Sequence, residues 1–237
     1  MMGAEFAETL VDAVAAELAG QGFVLRGGFM FSPDEAAPMG PAGARARSVL
    51  LVGQAGAGPW PHFQRWRSGQ PAGLSDPYDR FSQSVLAMVA ARHGARAVSP
   101  SDRPYLPFQQ WAMRAEGLRP SPLGILMHPE YGLWHAYRGA LLFATDLELP
   151  ASREAVHLCD ACLGKPCLNA CPVDAHTLTG FSHLDCLAHV HAAAGQACRE
   201  GGCGDRNACP EGAAYRYPAA VQAFHMAAFA GLPGEGA

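Results

Sequence analysis

All 8 cysteines of this 237-residue chain lie between Cys159 and Cys209, and nothing upstream of Cys159 is a cysteine. They form two pseudo-repeats, each ending on Cys-Pro. The first reads Cys159-Asp-Ala-Cys162-Leu-Gly-Lys-Pro-Cys167-Leu-Asn-Ala-Cys171-Pro172. The second places Cys186, Cys198, Cys203 and Cys209 before Pro210. Clustered thiols in a reducing compartment read as metal or redox chemistry rather than as a disulfide framework. Eight thiolates are enough for two four-ligand centres, so the chain divides into a metal-bearing end and a thiol-free end.

Two-cluster iron–sulfur proteins use Cys-x2-Cys-x2-Cys-x3-Cys-Pro, in which the fourth cysteine of each run ligates the other cluster. That crossing assigns Cys159, Cys162, Cys167 and Cys209 to one site, and Cys171, Cys186, Cys198 and Cys203 to the other. Some gaps are longer than those of the motif. Four residues separate Cys162 from Cys167 and Cys198 from Cys203, and five separate Cys203 from Cys209. Gly164, Lys165 and Pro166 in one run, and Gly201 and Gly202 in the other, let the extra residues bulge as turns. Zinc also accepts four thiolates, so zinc and disulfides stand as alternatives. The doubled Cys-Pro ending favours two [4Fe–4S] clusters. His183, His189 and His191 read as surface of this module.

Composition narrows the remaining classes. The chain is 49% hydrophobic and 16% charged with a net charge of −4, and Lys165 is the only lysine among 17 basic residues. No basic stripe follows a helix face, so nucleic-acid binding is not expected. No apolar stretch reaches the length of a membrane span. The acidic start, with Glu5, Glu8, Asp12 and Glu17, does not resemble a signal peptide. The expected location is the cytoplasm.

Periodicity gives an α+β order. Phe6, Leu10, Val14 and Leu18 predict a helix over 5–19 stopped by Gly20 and Gly22. Strands are expected at 23–31 and 48–52, joined by a loop over 32–46. A long turn-rich loop is expected from Pro59 to Asp76. Asp76 then caps a helix with Pro77 at its first position, a stripe of Tyr78, Phe81, Val85, Met88 and Val89, and a stop at Gly94. A strand at 96–98, a helix at 108–116 and strands at 124–128 and 138–144 follow. Composition shifts near 150–154. A last helix over 218–230 is expected to pack on the N-terminal domain, ahead of a frayed tail at 231–237. The domains read as 1–152, 153–217 and 218–237. Gly53-Gln-Ala-Gly56-Ala-Gly58 does not fit a dinucleotide fingerprint, and Pro59 and Trp60 are expected to break the helix that should follow. Asp76 and Asp79 read as helix-start acids, not a catalytic pair.

The thiol-free part contains His128-Pro129-Glu-Tyr131-Gly132-Leu-Trp134-His135-Ala-Tyr137-Arg138-Gly139. Its aromatic faces and one guanidinium suit a large planar ligand with polar rim groups. A core turn with packed aromatics and a paired Arg138 explains the same residues. The stretch resembles the His-Pro-x-x-Gly-x-Trp-x-x-x-Arg-Gly segment of cblC-type cobalamin-processing chaperones, whose fold is nitroreductase-like. Those proteins also share a helix start similar to Asp76-Pro77-Tyr78-Asp79. Pro129 to Trp134, with Thr145-Asp146-Leu147-Glu148-Leu149, is similar to epoxyqueuosine reductases and reductive dehalogenases, where a cobalamin domain precedes two [4Fe–4S] clusters. The likeness covers about residues 75–210 in pieces.

The resemblance implies a nitroreductase-like mixed α/β domain, a small ferredoxin-like two-cluster module and a C-terminal helix. It places His128, Tyr131, Trp134 and Arg138 near a corrinoid (cobalamin) or its thiol co-substrate. It also implies electrons passed from the clusters to cobalt and an electron-donor protein, a flavoprotein or ferredoxin reductase. The reaction implied is reductive removal of cobalt's upper ligand or reduction of Co(II). One alternative is a ferredoxin-type carrier for a separate partner. Another is an epoxyqueuosine-reductase-like or flavin (FMN) enzyme. Asp102, in Ser99-Pro-Ser-Asp-Arg-Pro, is a poor match to the acid of the epoxyqueuosine reductases, and the surface is not basic. Both count against action on tRNA.

Overall fold

The structure, a computed structural model, describes residues 2–149 and 155–232, with side chains from Leu10 onward. Phe6, the composition shift at 150–154 and the tail beyond Leu232 lie outside the described residues. The chain forms two compact units. One comprises Met1–Gly117 and Ala136–Glu154, the other Leu118–His135 and Ala155–Ala237. This division differs from the expected boundaries. The His-Pro-Glu-Tyr-Gly stretch belongs with the cysteines, and the last helix is part of that same unit.

The first unit is built on a four-stranded sheet of order β1-β2-β6-β3, in which β1 (Val24–Met30) pairs antiparallel with β2 (Ser48–Ala55). The edge strand β3 (Arg96–Val98) pairs antiparallel with β6 (His135–Phe143), of which Ala136 onward lies in this unit. Strand β2 sits between neighbours, so Ser48 to Gln54 are all buried and the run reads as nearly continuous apolar sequence. Strand β1 carries a bulge between Leu25 and Gly28, and Gly27 there adopts φ 64°, a conformation that favours glycine.

The helices pack by their apolar stripes. Helix α1 (Met2–Ala19) buries Val14 and Leu18 completely. The Phe23 N–H bonds back to the Leu18 carbonyl at 3.0 Å, closing its end. Helix α3 (Pro77–Arg92) buries Tyr78, Phe81, Val85 and Val89 as the stripe predicts, while Met88 stays partly exposed. Asp76 does not cap this helix through its side chain. It has φ 51° and makes no side-chain capping bond, and the Arg80 N–H is taken by the Asp76 carbonyl instead. Helix α4 (Phe108–Glu116) lies against β1 and ends at Gly117, φ 67°.

The expected loop over 59–76 is half helix. Helix α2 runs Trp60–Arg67, with Pro61 in its first turn where no N–H bond is lost. Proline here starts the helix rather than breaking it. Phe63 and Trp66 pack on Tyr78 and Phe81 of α3, with ring centroids 4.9 Å apart for Phe63–Tyr78 and 5.8 Å for Trp66–Phe81. Arg67, buried, donates to the carbonyls of Gln70, Pro71 and Ala72 and holds the remaining loop.

A charged group, Arg26, is deeply enclosed in the first unit. Arg26, 1% exposed, makes a two-point bond to Glu116 at 2.8 and 2.9 Å, and Tyr137 donates its hydroxyl to the same carboxylate. Burial, with Glu116 beside it, holds the Tyr137 phenol protonated far above its ordinary range.

In the second unit β4 (Arg119–Pro120) and β5 (Leu126–Met127) form a short antiparallel pair, shorter than the expected strand at 124–128. Short helices α5 (Leu158–Ala161), α6 (His183–His191), α7 (Gln196–Gly201) and α8 (Gly204–Ala208) carry or flank the cysteines. A hairpin of β7 (His176–Thr177) and β8 (Gly180–Phe181) lies among them. Helix α9 (Ala219–Ala230) packs on α7 and α6 of its own unit, with Val221 buried and Gln222 bonded to Asn207 and to the Tyr217 carbonyl. Among the described residues no helix is long and apolar enough to cross a membrane.

The Tyr131–Gly132 turn meets Glu211–Gly212 backbone to backbone. Gly132 has φ 56° and a Cβ there would overlap the Glu211 carbonyl, while a Cβ on Gly212, φ 69°, would overlap Tyr131. The turn is thereby seated next to Cys209-Pro210.

Two outcomes follow from these contacts. Glu116→Ala leaves Arg26 buried without its anion and lowers the unfolding free energy by about 3–5 kcal/mol, measured by urea denaturation. Gly132→Ala meets both a steric overlap and a left-handed backbone, and costs more than about 1 kcal/mol, read from the same titration.

Candidate metal centre and cofactor residues

The eight thiols partition into two fours, all within the second unit. Cys159, Cys162, Cys167 and Cys209 line one cavity of ≈ 20 Å³ together with Met127, Leu133 and Lys165. Cys171, Cys186, Cys198 and Cys203 line another of ≈ 220 Å³, with His176, Phe181 and Phe229 among its walls. The membership of each four is the crossed one that the spacing suggests. All eight cysteines are free thiols. Among the described residues no three His, Cys, Asp or Glu side chains are arranged to hold a single metal ion.

The electrostatics follow the same partition. Burial pushes the Cys159 thiol up to about 11, and the nearby Cys209, Cys167 and Cys162 add to the shift. Cys186 also rises to about 11 through burial, helped by Cys203, Cys171 and Cys198. Burial raises Cys167, Cys198, Cys203 and Cys209 as well. Thiols crowded in fours resist ionising together without a positive centre among them. The first four also lie in an apolar cluster, where Cys167 and Cys209 are buried with Met127 and Leu133 and flanked by Leu123, Ile125, Leu158 and Leu168.

Local hydrogen bonds shape the enlarged loops. Lys165 donates to the Cys159 and Cys162 carbonyls at 2.9 and 3.3 Å, folding the first loop over its own cysteines. Asn169 closes that loop by donating to the Gly164 and Lys165 carbonyls. Asn207 does the same for the second loop, donating to Gly201 at 2.8 Å and Cys203 at 3.1 Å. Each asparagine sits two residues before a Cys-Pro. The repeated Asn-Ala-Cys-Pro was the signal for these residues, and attention to the cysteines alone missed it. Asn207 also exchanges bonds with Gln222 of α9 at 2.9 and 3.2 Å. The Ala175 N–H donates to the Cys171 sulfur at 3.3 Å.

The expected cofactor residues fall in both units. His128, Tyr131 and Trp134 lie in the cysteine unit, and Arg138 in the sheet unit. His128 and Tyr131 stack with centroids 4.0 Å apart and planes within 7°. The His128 Nδ1 accepts the N–H groups of Glu130 and Tyr131 at 3.1 Å, which fixes the turn. The Tyr131 ring also meets Tyr215 edge-on at 4.8 Å.

Trp134 has no exposed surface. Its ring packs on Tyr217 at 5.4 Å, and the Arg206 guanidinium lies 4.5 Å from its centre. Arg206 in turn donates to the Leu133 carbonyl at 2.6 Å. The indole nitrogen is buried without a hydrogen-bond partner among the described residues. In the expected role Trp134 touches a ligand; here it is packing within its own unit. Arg138 donates to the Gln54 side chain at 2.9 Å, stands 3.6 Å from Asp79 and covers the Tyr78 ring at 4.5 Å. Tyr78 donates to the same Gln54 oxygen.

No protein-family model matches the chain, and no curated protein matches it in sequence. Solved structures match in fold. The C. elegans B12-trafficking protein CblC, a human MMACHC homologue, aligns at a TM-score of 0.55 and 15% identity, covering 92% of this chain and 91% of that one. Epoxyqueuosine reductase in complex with an epoxyqueuosine-modified tRNA-Tyr stem loop aligns at 0.51 and 15% identity, over 91% of this chain and 67% of that one. Selenomethionine-labelled epoxyqueuosine reductase aligns at 0.51 and 14% identity, over 92% and 68%. The chain has a mixed α and β fold like that of CblC and epoxyqueuosine reductase.

Proposed function

We propose that the cysteine unit carries two [4Fe–4S] clusters and that the chain passes electrons to a corrinoid bound by the same protein. The partition of the eight thiols into two fours carries the first part. The donor set fits: each cavity offers four sulfurs, the number that one cluster takes. The fold shared with a B12-trafficking protein, over most of both chains, supports the second part.

The clusters supply one-electron transfer and the corrinoid supplies the reacting cobalt. The chain's own residues hold and exclude. Apolar Met127, Leu133, Leu158 and Leu168 keep water from the first cysteine four. Lys165 and the two asparagines fix the loops that carry Cys162, Cys167, Cys198 and Cys203. His128 and Tyr131 present a stacked aromatic face, Arg138 carries a partly exposed guanidinium, and Trp134, without exposed surface, packs on Tyr217. The proposed reaction is reductive removal of the upper ligand or reduction of Co(II), fed by a flavoprotein or ferredoxin reductase in the cytoplasm.

A reductase acting on an epoxyqueuosine-type tRNA fits less well. The net charge is −4, and phosphate binding calls for a basic surface. The Asp102 carboxylate accepts the Ser99 N–H at 2.8 Å and is spent on its own turn.

Anaerobic purification tests the cluster assignment. Brown protein with iron and acid-labile sulfide in equal amounts is expected, and zinc without sulfide rejects the clusters. Hydroxocobalamin titration of the loaded protein then tests the corrinoid. A shifted corrinoid spectrum is expected, with weaker binding in Arg138→Ala at unchanged iron content. An unshifted spectrum rejects the corrinoid and leaves an electron carrier for another protein.

A further inference from the structure

The second cysteine site draws Cys171 from the first run and Cys203 from the second, so the two runs must be fixed to each other where that site forms. Asp205 is bonded across both. It lies two residues after Cys203 in α8 and has no exposed surface. One carboxylate oxygen accepts the N–H of Ala170 at 3.0 Å, the residue immediately before Cys171. The other meets His176 Nδ1 at 2.9 Å. His176 lines the same cavity as Cys171, Cys186, Cys198 and Cys203, and its ring stacks on Phe181 with centroids 4.4 Å apart.

A fully buried carboxylate is stable only where partners satisfy it, and both of these partners flank Cys171. Gly204 allows the approach: a Cβ there would come within 2.7 Å of the Ala170 carbonyl oxygen. Five residues separate Cys203 from Cys209 where three separate Cys167 from Cys171. Gly204 and Asp205 lie in that longer gap, so the departure from the motif brings its own connector.

We infer that Asp205 is a positioning residue for the second cysteine site, stapling the Cys171 segment to the Cys203 segment so that this site, and not the first, depends on it. The inference rests on the iron–sulfur reading above. Groups that hold a ligating segment in place control loading without touching the metal.

The test compares full-length wild type, Asp205→Ala, Gly204→Ala and Asp205→Asn, all prepared anaerobically. Iron and sulfide in Asp205→Ala fall to about half of wild type. Iodoacetamide then labels Cys171, Cys186, Cys198 and Cys203 while Cys159, Cys162, Cys167 and Cys209 stay protected, read by peptide mass spectrometry. Gly204→Ala gives the same selective loss without emptying a buried position. Asp205→Asn keeps an acceptor for the Ala170 N–H and retains most of the iron. Wild-type iron in both Asp205→Ala and Gly204→Ala, or equal labelling of the two fours, overturns the inference alone. Wild-type protein without iron and sulfide overturns the proposed function, and the inference with it.

Discussion

Each of the two cavities lined by four thiols takes one of its four from the other cysteine run. Cys209 must reach Cys159, Cys162 and Cys167, and Cys171 must reach Cys186, Cys198 and Cys203. Almost every local feature of the cysteine unit serves that exchange. Glycines at 132, 204 and 212 remove the side chains that would hold backbones apart. Asparagines close the two widened loops, and an enclosed carboxylate joins one run to the other. At the first cavity leucines and Met127 pack around Cys167 and Cys209.

The sheet unit is ordered by a different principle. Its core is made by β2 and the apolar stripes of α1, α3 and α4, and the buried Arg26 is matched by a carboxylate and a phenol. Arg138 belongs to this economy. It is held by Gln54, Asp79 and the Tyr78 ring, which makes it a fixed group rather than a mobile one.

The sequence was legible where a rule is local. Strand 96–98 and helix 108–116 were read to the residue because periodicity and flanking glycines suffice. Helix α2 is not legible in this way, since Pro59 and Trp60 read as helix breakers and only the packing of Phe63 and Trp66 on α3 shows a helix starting there. Trp134 illustrates the limit for the site: aromatic residues of a pocket and of a core have the same composition, and burial alone separates them. Asp205 was invisible because its meaning lies in a bond to Ala170, 35 positions away.

The chain enters the cysteine unit at Leu118, leaves it after His135 and returns at Ala155. Neither unit is therefore a contiguous stretch of polypeptide. During synthesis the His128–Trp134 segment emerges before any cysteine of the Cys159–Cys209 stretch, and Gly212, against which its turn rests, follows the last of them. The first cysteine four is complete only once Cys209 has been made. A single cut in the gene cannot release the cysteine unit whole.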